Sequence, residues 1–280
     1  MPDTKELKHI CAELRCDILE MIHRAGSGHP GGSLSSVEIL TALYFGDIIN
    51  VDPDNPDWDD RDRFILSKGH INPALYAVLA RKGFFPTEWL MTLRRLGSHL
   101  QGHPHASLVP GMDCSSGSLG QGLSVANGIA KAMKFRGKDA RVYCLMGDGE
   151  LQEGQIWEAA MTAVHYKLDN VCGIVDYNRV QLDGTTDEVM TLGDVPAKWR
   201  SFGWNVIECD GHDIEAVIAA FRQAESVKGV PSVIVAHTIK GKGVSFMEGD
   251  CDWHGTAPND DQLSIALDEI RKAYDEEEEA

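Results

Sequence analysis

The chain has 280 residues, of which 43% are hydrophobic and 25% are charged, a composition typical of a globular protein with one large or two small domains. It carries 26 Lys and Arg against 43 Asp and Glu, and the formal net charge of −17 would repel nucleic acid and anionic membrane surfaces. Composition and charge therefore exclude a disordered or fibrous protein and argue against nucleic-acid binding.

Three helices are predicted in the first 100 residues. Apolar residues at spacings of three and four predict an amphipathic helix over residues 4–24, which ends at the glycine-rich turn that follows. Ser36 is a candidate N-cap for a helix over residues 37–45, and Asn72 with Pro73 opens a third helix that continues to residue 80. We therefore expect helices to dominate this part of the chain.

After residue 140 the pattern changes to short apolar runs separated by amphipathic helices. Four runs predict buried strands, at residues 141–146, 170–175, 204–208 and 232–236. Helical patterns accompany them at residues 120–134, 155–166 and 214–224. This alternation predicts an α/β fold, a parallel sheet flanked by helices, whose ligands bind beyond the carboxyl ends of the strands.

Domain organisation and cellular location are predicted from the rest of the chain. We expect one domain over residues 1–265 and a helical, acidic tail over residues 266–280, in which the acidic run 275–279 is solvated. The seven cysteines form no Cys-x-x-Cys pair, which is typical of reduced thiols. No signal peptide is evident, and no apolar run approaches the roughly 20 residues that a membrane helix needs. These features predict a cytoplasmic location.

Two predicted strands end in oxygen ligands. Gly147-Asp148-Gly149-Glu150 follows one strand, and Asn178 follows the next. Glycines leave backbone amides open to an anion, and carboxylate and amide oxygens are suitable ligands for Mg²⁺ or Ca²⁺. Gly-Asp-Gly alone is equally consistent with an ordinary turn. Together with Asn178 and a backbone carbonyl, it predicts a metal site that could hold a diphosphate.

Histidines are concentrated in loops. Six of the eleven adjoin Gly or Pro, namely His29, His70, His103, His105, His212 and His254. Any single one is more often a structural or surface histidine. Several such loops beside a metal–diphosphate motif indicate a site that transfers protons and binds hydroxyls near neutral pH. The histidines within helical patterns, such as His9, His23 and His165, are interpreted as structural.

Other binding motifs have weaker support in the sequence. A zinc site lacks support, because the chain has neither a cysteine pair nor a His-Glu-x-x-His helix. The segment Gly117-Ser118-Leu119-Gly120-Gln121-Gly122 has its glycines at relative positions 1, 4 and 6, which does not match the dinucleotide-binding pattern. It can still lie close to a ring or a phosphate. Lys240-Gly241-Lys242-Gly243 is either a cationic loop suited to diphosphate or an exposed turn.

Seven motifs in order resemble the N-terminal, thiamine diphosphate-binding part of transketolase, over residues 4–258. They are Ser27-Gly28-His29-Pro30, Ser67-Lys68-Gly69-His70, Gly102-His103-Pro104, Gly117-Ser118-Leu119-Gly120-Gln121-Gly122, the run from Gly147 to Gly154, Asp176-Tyr177-Asn178-Arg179 and Lys240-Gly241-Lys242-Gly243. The resemblance implies transfer of a two-carbon ketol unit with thiamine diphosphate and Mg²⁺, or Ca²⁺ or Mn²⁺ in its place.

The resemblance also implies roles for individual residues. The implied metal ligands are Asp148, Asn178 and the carbonyl of Val180. The implied cofactor-binding residues are His70, Gly117, Ser118, Leu119, Gly149, Glu150, Asn178, Lys240 and His254. The implied catalytic residues are His29, His70, His103 and His254, with Glu153, which like Glu158 would lie towards a subunit interface. One departure is Gly32, which stands where the family has a cofactor-contacting serine, with Ser33 beside it.

Family members also carry a pyrimidine-binding domain and a C-terminal domain. The resemblance therefore implies the N-terminal subunit of a split transketolase, which self-associates and forms an α2β2 complex with a C-terminal subunit, acts on sugar phosphates and serves the pentose phosphate pathway. Related enzymes stay open as alternatives, namely a 1-deoxyxylulose-5-phosphate synthase or a dehydrogenase E1 subunit. Outside catalysis, the alternative is a regulatory subunit that retains cofactor binding.

Overall fold

One parallel sheet of five strands organises the fold. The computed structural model describes residues 3–279, with side chains over 3–276. The strands are β1 (Arg63–Leu66), β2 (Val142–Gly147), β3 (Val171–Tyr177), β4 (Asn205–Asp210) and β5 (Ser232–His237). Their order across the sheet is β1-β2-β3-β5-β4, and every neighbouring pair is parallel. The predicted α/β class is confirmed.

Helices cover the sheet. They are α1 (Thr4–Ala25), α2 (Pro30–Ser35), α3 (Val37–Phe45), α4 (Asn72–Lys82), α5 (Gly122–Phe135), α6 (Gly154–His165), α7 (Thr186–Met190), α8 (Val195–Ser201), α9 (Ile214–Ser226) and α10 (Asp260–Glu279). The six helices predicted between residues 4 and 224 match α1, α3, α4, α5, α6 and α9 to within two residues at each end.

Strand β1 is the main element that the sequence prediction missed. Helices were expected to dominate the first 100 residues, yet Arg63–Leu66 pairs with β2 at the edge of the sheet. Its apolar run is only Phe64-Ile65-Leu66. A run this short does not distinguish a strand from a loop, and the partner that makes it a strand lies about 80 positions later in the chain.

The ends of the early helices show which local signals decide structure. Asp3 caps α1 by accepting the Lys5 N–H, and Gly26 ends it in a left-handed conformation at φ 64°. Ser36 occupies the predicted N-cap position of α3, but its hydroxyl makes no cap bond. It donates instead to the Gly32 carbonyl at 3.1 Å, because Ser36 is also the C-cap residue of the preceding helix α2.

The hydrophobic core lies on both faces of the sheet, as a parallel sheet requires. Alternate strand residues such as Tyr143, Leu145 and Ile174 pack with α1, α3, α4 and α9 on one face. Val142, Cys144 and Val175 point the other way and pack with α5, α6 and α8. With both faces buried, the edge at the carboxyl ends of the strands is left open for ligands.

Helix α10 contains the segment that was predicted as a tail. It begins at Asp260 and packs against α1, with Ala266 and Ile270 buried in the same core. The expected boundary between residues 265 and 266 therefore falls inside this helix, and the acidic run 275–279 continues it. Within residues 3–279, none of the helices combines the length and the apolar character that crossing a membrane requires.

Candidate active site

The predicted oxygen ligands meet at the carboxyl ends of β2 and β3. Gly147 pairs with Asp176 across the two strands, so Asp148 lies beside the turn that follows β3. Asp148 accepts the N–H groups of Gly149, at 2.7 Å, and of Arg179. Arg179 adopts a left-handed conformation at φ 64°, which turns its N–H towards Asp148. In the same turn, Asn178 Oδ1 accepts the Val180 N–H at 3.0 Å.

The electrostatics of this turn favour a cation. Burial, together with the nearby Asp176 carboxylate, raises the pKa of Asp148 to about 6. The Lys240 ammonium already lies against the predicted metal ligand on Val180, whose carbonyl accepts from Nζ at 3.0 Å. Carboxylate, amide and carbonyl oxygens are the ligands that Mg²⁺ prefers. The donor set present therefore fits a divalent cation.

Lys240 is a buried cation held in a defined place. The residue is 2% exposed, and a Cβ added to Gly31 would lie 3.0 Å from its Cγ, so the stem runs along α2. Its Nζ is 2.8 Å from His254 Nδ1. Burial is the main cause that lowers the pKa of Lys240 to about 8. An anionic group beside this ammonium would offset the cost of burying its charge.

Three of the predicted histidines form a compact cluster. The ring centroids of His29 and His70 are 5.2 Å apart, those of His70 and His254 are 5.2 Å apart, and those of His29 and His254 are 5.5 Å apart. The Nδ1 atom of His29 is buried without a hydrogen-bond partner. A buried polar atom of this kind needs a partner, so the cluster is suited to a polar ligand.

The cluster is neutral near pH 7. Burial, followed by the Lys240 charge, lowers the pKa of His254 to about 3. Burial and the Arg94 charge lower the pKa of His29 to about 4, and burial with Lys68 places the pKa of His70 well below 6.5. Neutral imidazoles can still exchange protons and hydrogen-bond hydroxyls, and the nearby positive charge is that of the Lys240 ammonium.

A glycine-rich wall closes the cluster on one side. A Cβ on Gly69 would lie 2.7 Å from Ser116 Oγ, and one on Gly117 would lie 2.9 Å from His103 Cδ2. Only glycine therefore lets these loops pack together. His103 lies at the exposed rim, and the predicted cofactor residues Ser118 and Leu119 are accessible beside Gly117.

Glu150 was predicted to bind the cofactor, but its carboxylate is occupied by the protein. It accepts hydrogen bonds from the Ser67 hydroxyl, the Gly120 N–H at 2.8 Å and the Gly147 N–H at 3.1 Å. Glu150 thereby ties three loops of the site together. Glu153 and Glu158 are exposed.

Lys68 and Asp176 form a buried ion pair beneath the site that the sequence analysis did not single out. Asp176 also accepts from Ser35 Oγ at 2.6 Å and from Asn178 Nδ2 at 3.0 Å. Because the amide nitrogen of Asn178 donates to Asp176, its amide oxygen is the atom left to accept the Val180 N–H in the turn after β3. Lys68 and Asp176 both belong to motifs of the transketolase resemblance, Ser67-Lys68-Gly69-His70 and Asp176-Tyr177-Asn178-Arg179, and this membership is the signal by which they could have been found.

Other candidates lie outside the cluster. His105 bonds to Ser107 at the surface, and His212 contacts Glu38 behind the site.

Gly32 stands where the family pattern has a cofactor-contacting serine. A Cβ on Gly32 would lie 2.9 Å from Ile71, which leaves no room for a serine without movement. Ser33 does not replace it, since its hydroxyl donates to the His29 carbonyl at 2.7 Å.

Comparisons with known proteins show the family to which the chain is related. A family model described as "Transketolase, thiamine diphosphate binding domain" matches residues 7–277. A 6-deoxy-6-sulfo-D-fructose transketolase subunit of a Clostridium species is 46% identical over 95% of this chain and 97% of its own length. One subunit of an apulose-4-phosphate transketolase of Phocaeicola vulgatus is 47% identical over 90% of this chain and 89% of its own length. The crystal structure of Campylobacter jejuni transketolase superposes with a TM-score of 0.91 at 33% identity, covering 97% of this chain but 43% of that protein.

Proposed function

Because the chain belongs to the transketolase family, as its thiamine diphosphate-binding part, we propose that it is the N-terminal subunit of a split transketolase. It transfers a two-carbon ketol unit from a ketose to an aldose once a C-terminal subunit completes the site. The two relatives that it matches over 97% and 89% of their own length are both named as subunits. The observation that carries the proposal is the meeting of Asp148, Asn178, Lys240 and the histidine cluster at one sheet edge.

We assign the metal and the diphosphate to neighbouring groups. Asp148, Asn178 and the Val180 carbonyl would hold Mg²⁺, and the Gly149 backbone and the Lys240 ammonium would bind the diphosphate. Gly117, Ser118 and Leu119 would line the ring of the cofactor. When bound, thiamine diphosphate supplies the nucleophilic carbon and the electron sink that cleavage of a C–C bond next to a carbonyl requires.

The protein's own task is to position hydroxyls and move protons. His29, His70 and His254 are neutral near pH 7, so each can donate from one ring nitrogen and accept at the other. The unpartnered Nδ1 of His29 is the atom that we assign to a substrate hydroxyl. His103, at the rim, would contact the sugar farther from the cofactor.

We place the missing half of the site on a second chain. In this proposal a C-terminal subunit supplies the pyrimidine-binding and C-terminal domains, and the exposed Glu153, Glu158 and Leu119 face a neighbouring subunit in an α2β2 assembly. No disulfide joins cysteines within residues 3–279, which supports the cytoplasm as the place where the assembly acts.

A donor panel tests the reaction. The named relatives act on different sugars, so the complex of this chain with a C-terminal subunit is assayed with xylulose 5-phosphate, 6-deoxy-6-sulfofructose, apulose 4-phosphate and pyruvate. Ketol transfer from at least one of the three sugars is expected. Use of pyruvate alone would contradict the proposal and identify a synthase or a dehydrogenase subunit. Cofactor binding without any turnover would identify a regulatory subunit.

A further inference from the structure

Two backbone groups on either side of Lys240 are held from behind the site. The Ile239 N–H donates to His212 Nε2 at 2.8 Å, and the Lys242 carbonyl accepts from Arg15 Nε at 3.0 Å. The same His212 and Arg15 converge on one carboxylate. Glu38 Oε2 lies 3.0 Å from His212 Nδ1, and Glu38 Oε1 accepts from Arg15 Nη2 at 2.5 Å. We call Arg15, Glu38 and His212 the Glu38 clamp.

The hydrogen bonds define the tautomer of His212. Because Nε2 accepts the Ile239 N–H, it carries no proton, and the ring proton resides on Nδ1 and is donated to Glu38. Burial alone would raise the pKa of Glu38, but the Arg15 guanidinium and the His212 bond hold it below its usual value. An ionised Glu38 has no proton to donate, so it selects the tautomer that leaves Nε2 free to accept.

The loop backbone is shaped to meet the clamp. Gly243 has φ 93°, and a Cβ there would lie 2.9 Å from Arg15 Nε. On the other side of the loop, the Gly241 N–H donates to the Gly31 carbonyl at 2.9 Å. The segment 239–243 is therefore fixed at three points around Lys240, whose side chain reaches Val180 and His254.

We propose that Glu38, Arg15 and His212 are positioning residues that place the Lys240 ammonium for the cofactor diphosphate, although none of them lies in the cofactor site. This inference rests on the proposed role of Lys240. The clamp acts by holding the loop before the diphosphate arrives, so that ordering the loop does not subtract from the binding free energy. A purely structural role for the clamp would affect the stability of the chain without a specific link to Lys240.

The two amide substitutions of His212 separate these roles. In His212→Gln the side-chain oxygen can reach the former Nε2 position and accept the Ile239 N–H, whereas in His212→Asn only the Nδ1 position is replaced. The clamp residues also line a cavity of about 810 Å³, so neither change opens a void in the core. Hydrogen exchange at the Ile239 amide should be accelerated in His212→Asn and remain slow in His212→Gln.

Thiamine diphosphate with Mg²⁺ is then titrated into the full chain, with tryptophan fluorescence as the signal. His212→Asn should raise the apparent Kd about tenfold, as expected for one lost hydrogen bond, and His212→Gln less than about threefold. In a Lys240→Met background, His212→Asn should change the Kd by less than about twofold, because the ammonium that the Glu38 clamp positions is absent.

Contrary results would distinguish failure of the clamp from failure of the proposed role of Lys240. If His212→Asn weakens binding equally in the Lys240→Met background, or if His212→Gln is as impaired as His212→Asn, the clamp does not act through Lys240 and the inference is overturned. If Lys240→Met itself leaves the Kd unchanged, the proposed diphosphate role of Lys240 fails, and the inference fails with it.

Discussion

The buried pair of Lys68 and Asp176 offers the sharpest test of how the site is held together. Asp176 is fully buried and accepts from Lys68 Nζ, from Thr238 Oγ1 and, at 2.6 Å, from Ser35 Oγ. Despite its burial, these partners hold the pKa of Asp176 below its usual value, so the carboxylate is ionised. In Asp176→Asn the Lys68 ammonium would be left buried without its counter-charge.

Breaking a buried ion pair on one side costs about 3–5 kcal/mol. For a chain of this size, each kcal/mol corresponds to roughly 2–4 °C in the thermal midpoint, so Asp176→Asn should lower Tm by roughly 6–20 °C. Replacing both charges, in Lys68→Met with Asp176→Asn, should recover part of this loss, because neither charge is then buried alone. The exposed Asp183→Asn is the matched control and should leave Tm unchanged within about 1 °C.

Thermal unfolding followed by circular dichroism measures these differences, and titration with Mg²⁺ and thiamine diphosphate gives a second readout. Asp176→Asn should also weaken metal-dependent cofactor binding, since Asn178 loses the partner that orients its amide. A midpoint for Asp176→Asn within about 2 °C of the wild type, or a double variant less stable than the single one, would show that this ion pair does not stabilise the fold.

Two further substitutions test the charges of the site. Asp148→Asn should abolish Mg²⁺-dependent binding of thiamine diphosphate. It should not lower the Tm of the free chain, because a carboxyl whose pKa is raised to about 6 is costly to bury as an anion. An unchanged Kd for thiamine diphosphate would contradict the role of Asp148. For His29, whose pKa falls from 6.5 to about 4 on folding, the unfolded chain takes up a proton across that interval while the native chain does not. Stability therefore falls as the pH drops from 6.5 to 4. Between pH 7 and pH 5, the Tm measured by calorimetry should fall less for His29→Gln than for the wild type. An equal fall in Tm would count against the lowered pKa of His29.

Sequence patterns predicted the elements that depend on local signals. Signals within a few neighbouring residues were enough to predict three features. They are the spacing of apolar residues in α1, the glycine that ends this helix, and the apolar runs of β2 and β3. The candidate metal ligands Asp148 and Asn178 could be paired in advance because parallel strands end at one edge of the sheet. Strand β1 could not be found this way, since its strand character depends on pairing with distant β2.

Long-range contacts explain which residue roles in the site could not be predicted from the sequence. Glu150 stands beside Gly149 in the motif and was assigned to the cofactor, but its carboxylate is satisfied by Ser67 and Gly120, which belong to two other loops. Lys68 and Asp176 are 108 positions apart, and His212 and Glu38 are 174 apart. Roles that arise from such pairs become visible only when the fold brings the partners together.

In our proposal, this chain carries one half of a shared active site. The most direct measurement is ketol transfer from the donor panel to ribose 5-phosphate, with thiamine diphosphate and Mg²⁺, by this chain alone, by the isolated C-terminal subunit and by their mixture. We predict transfer in the mixture only. Transfer by this chain alone at the rate of the mixture would contradict the shared site.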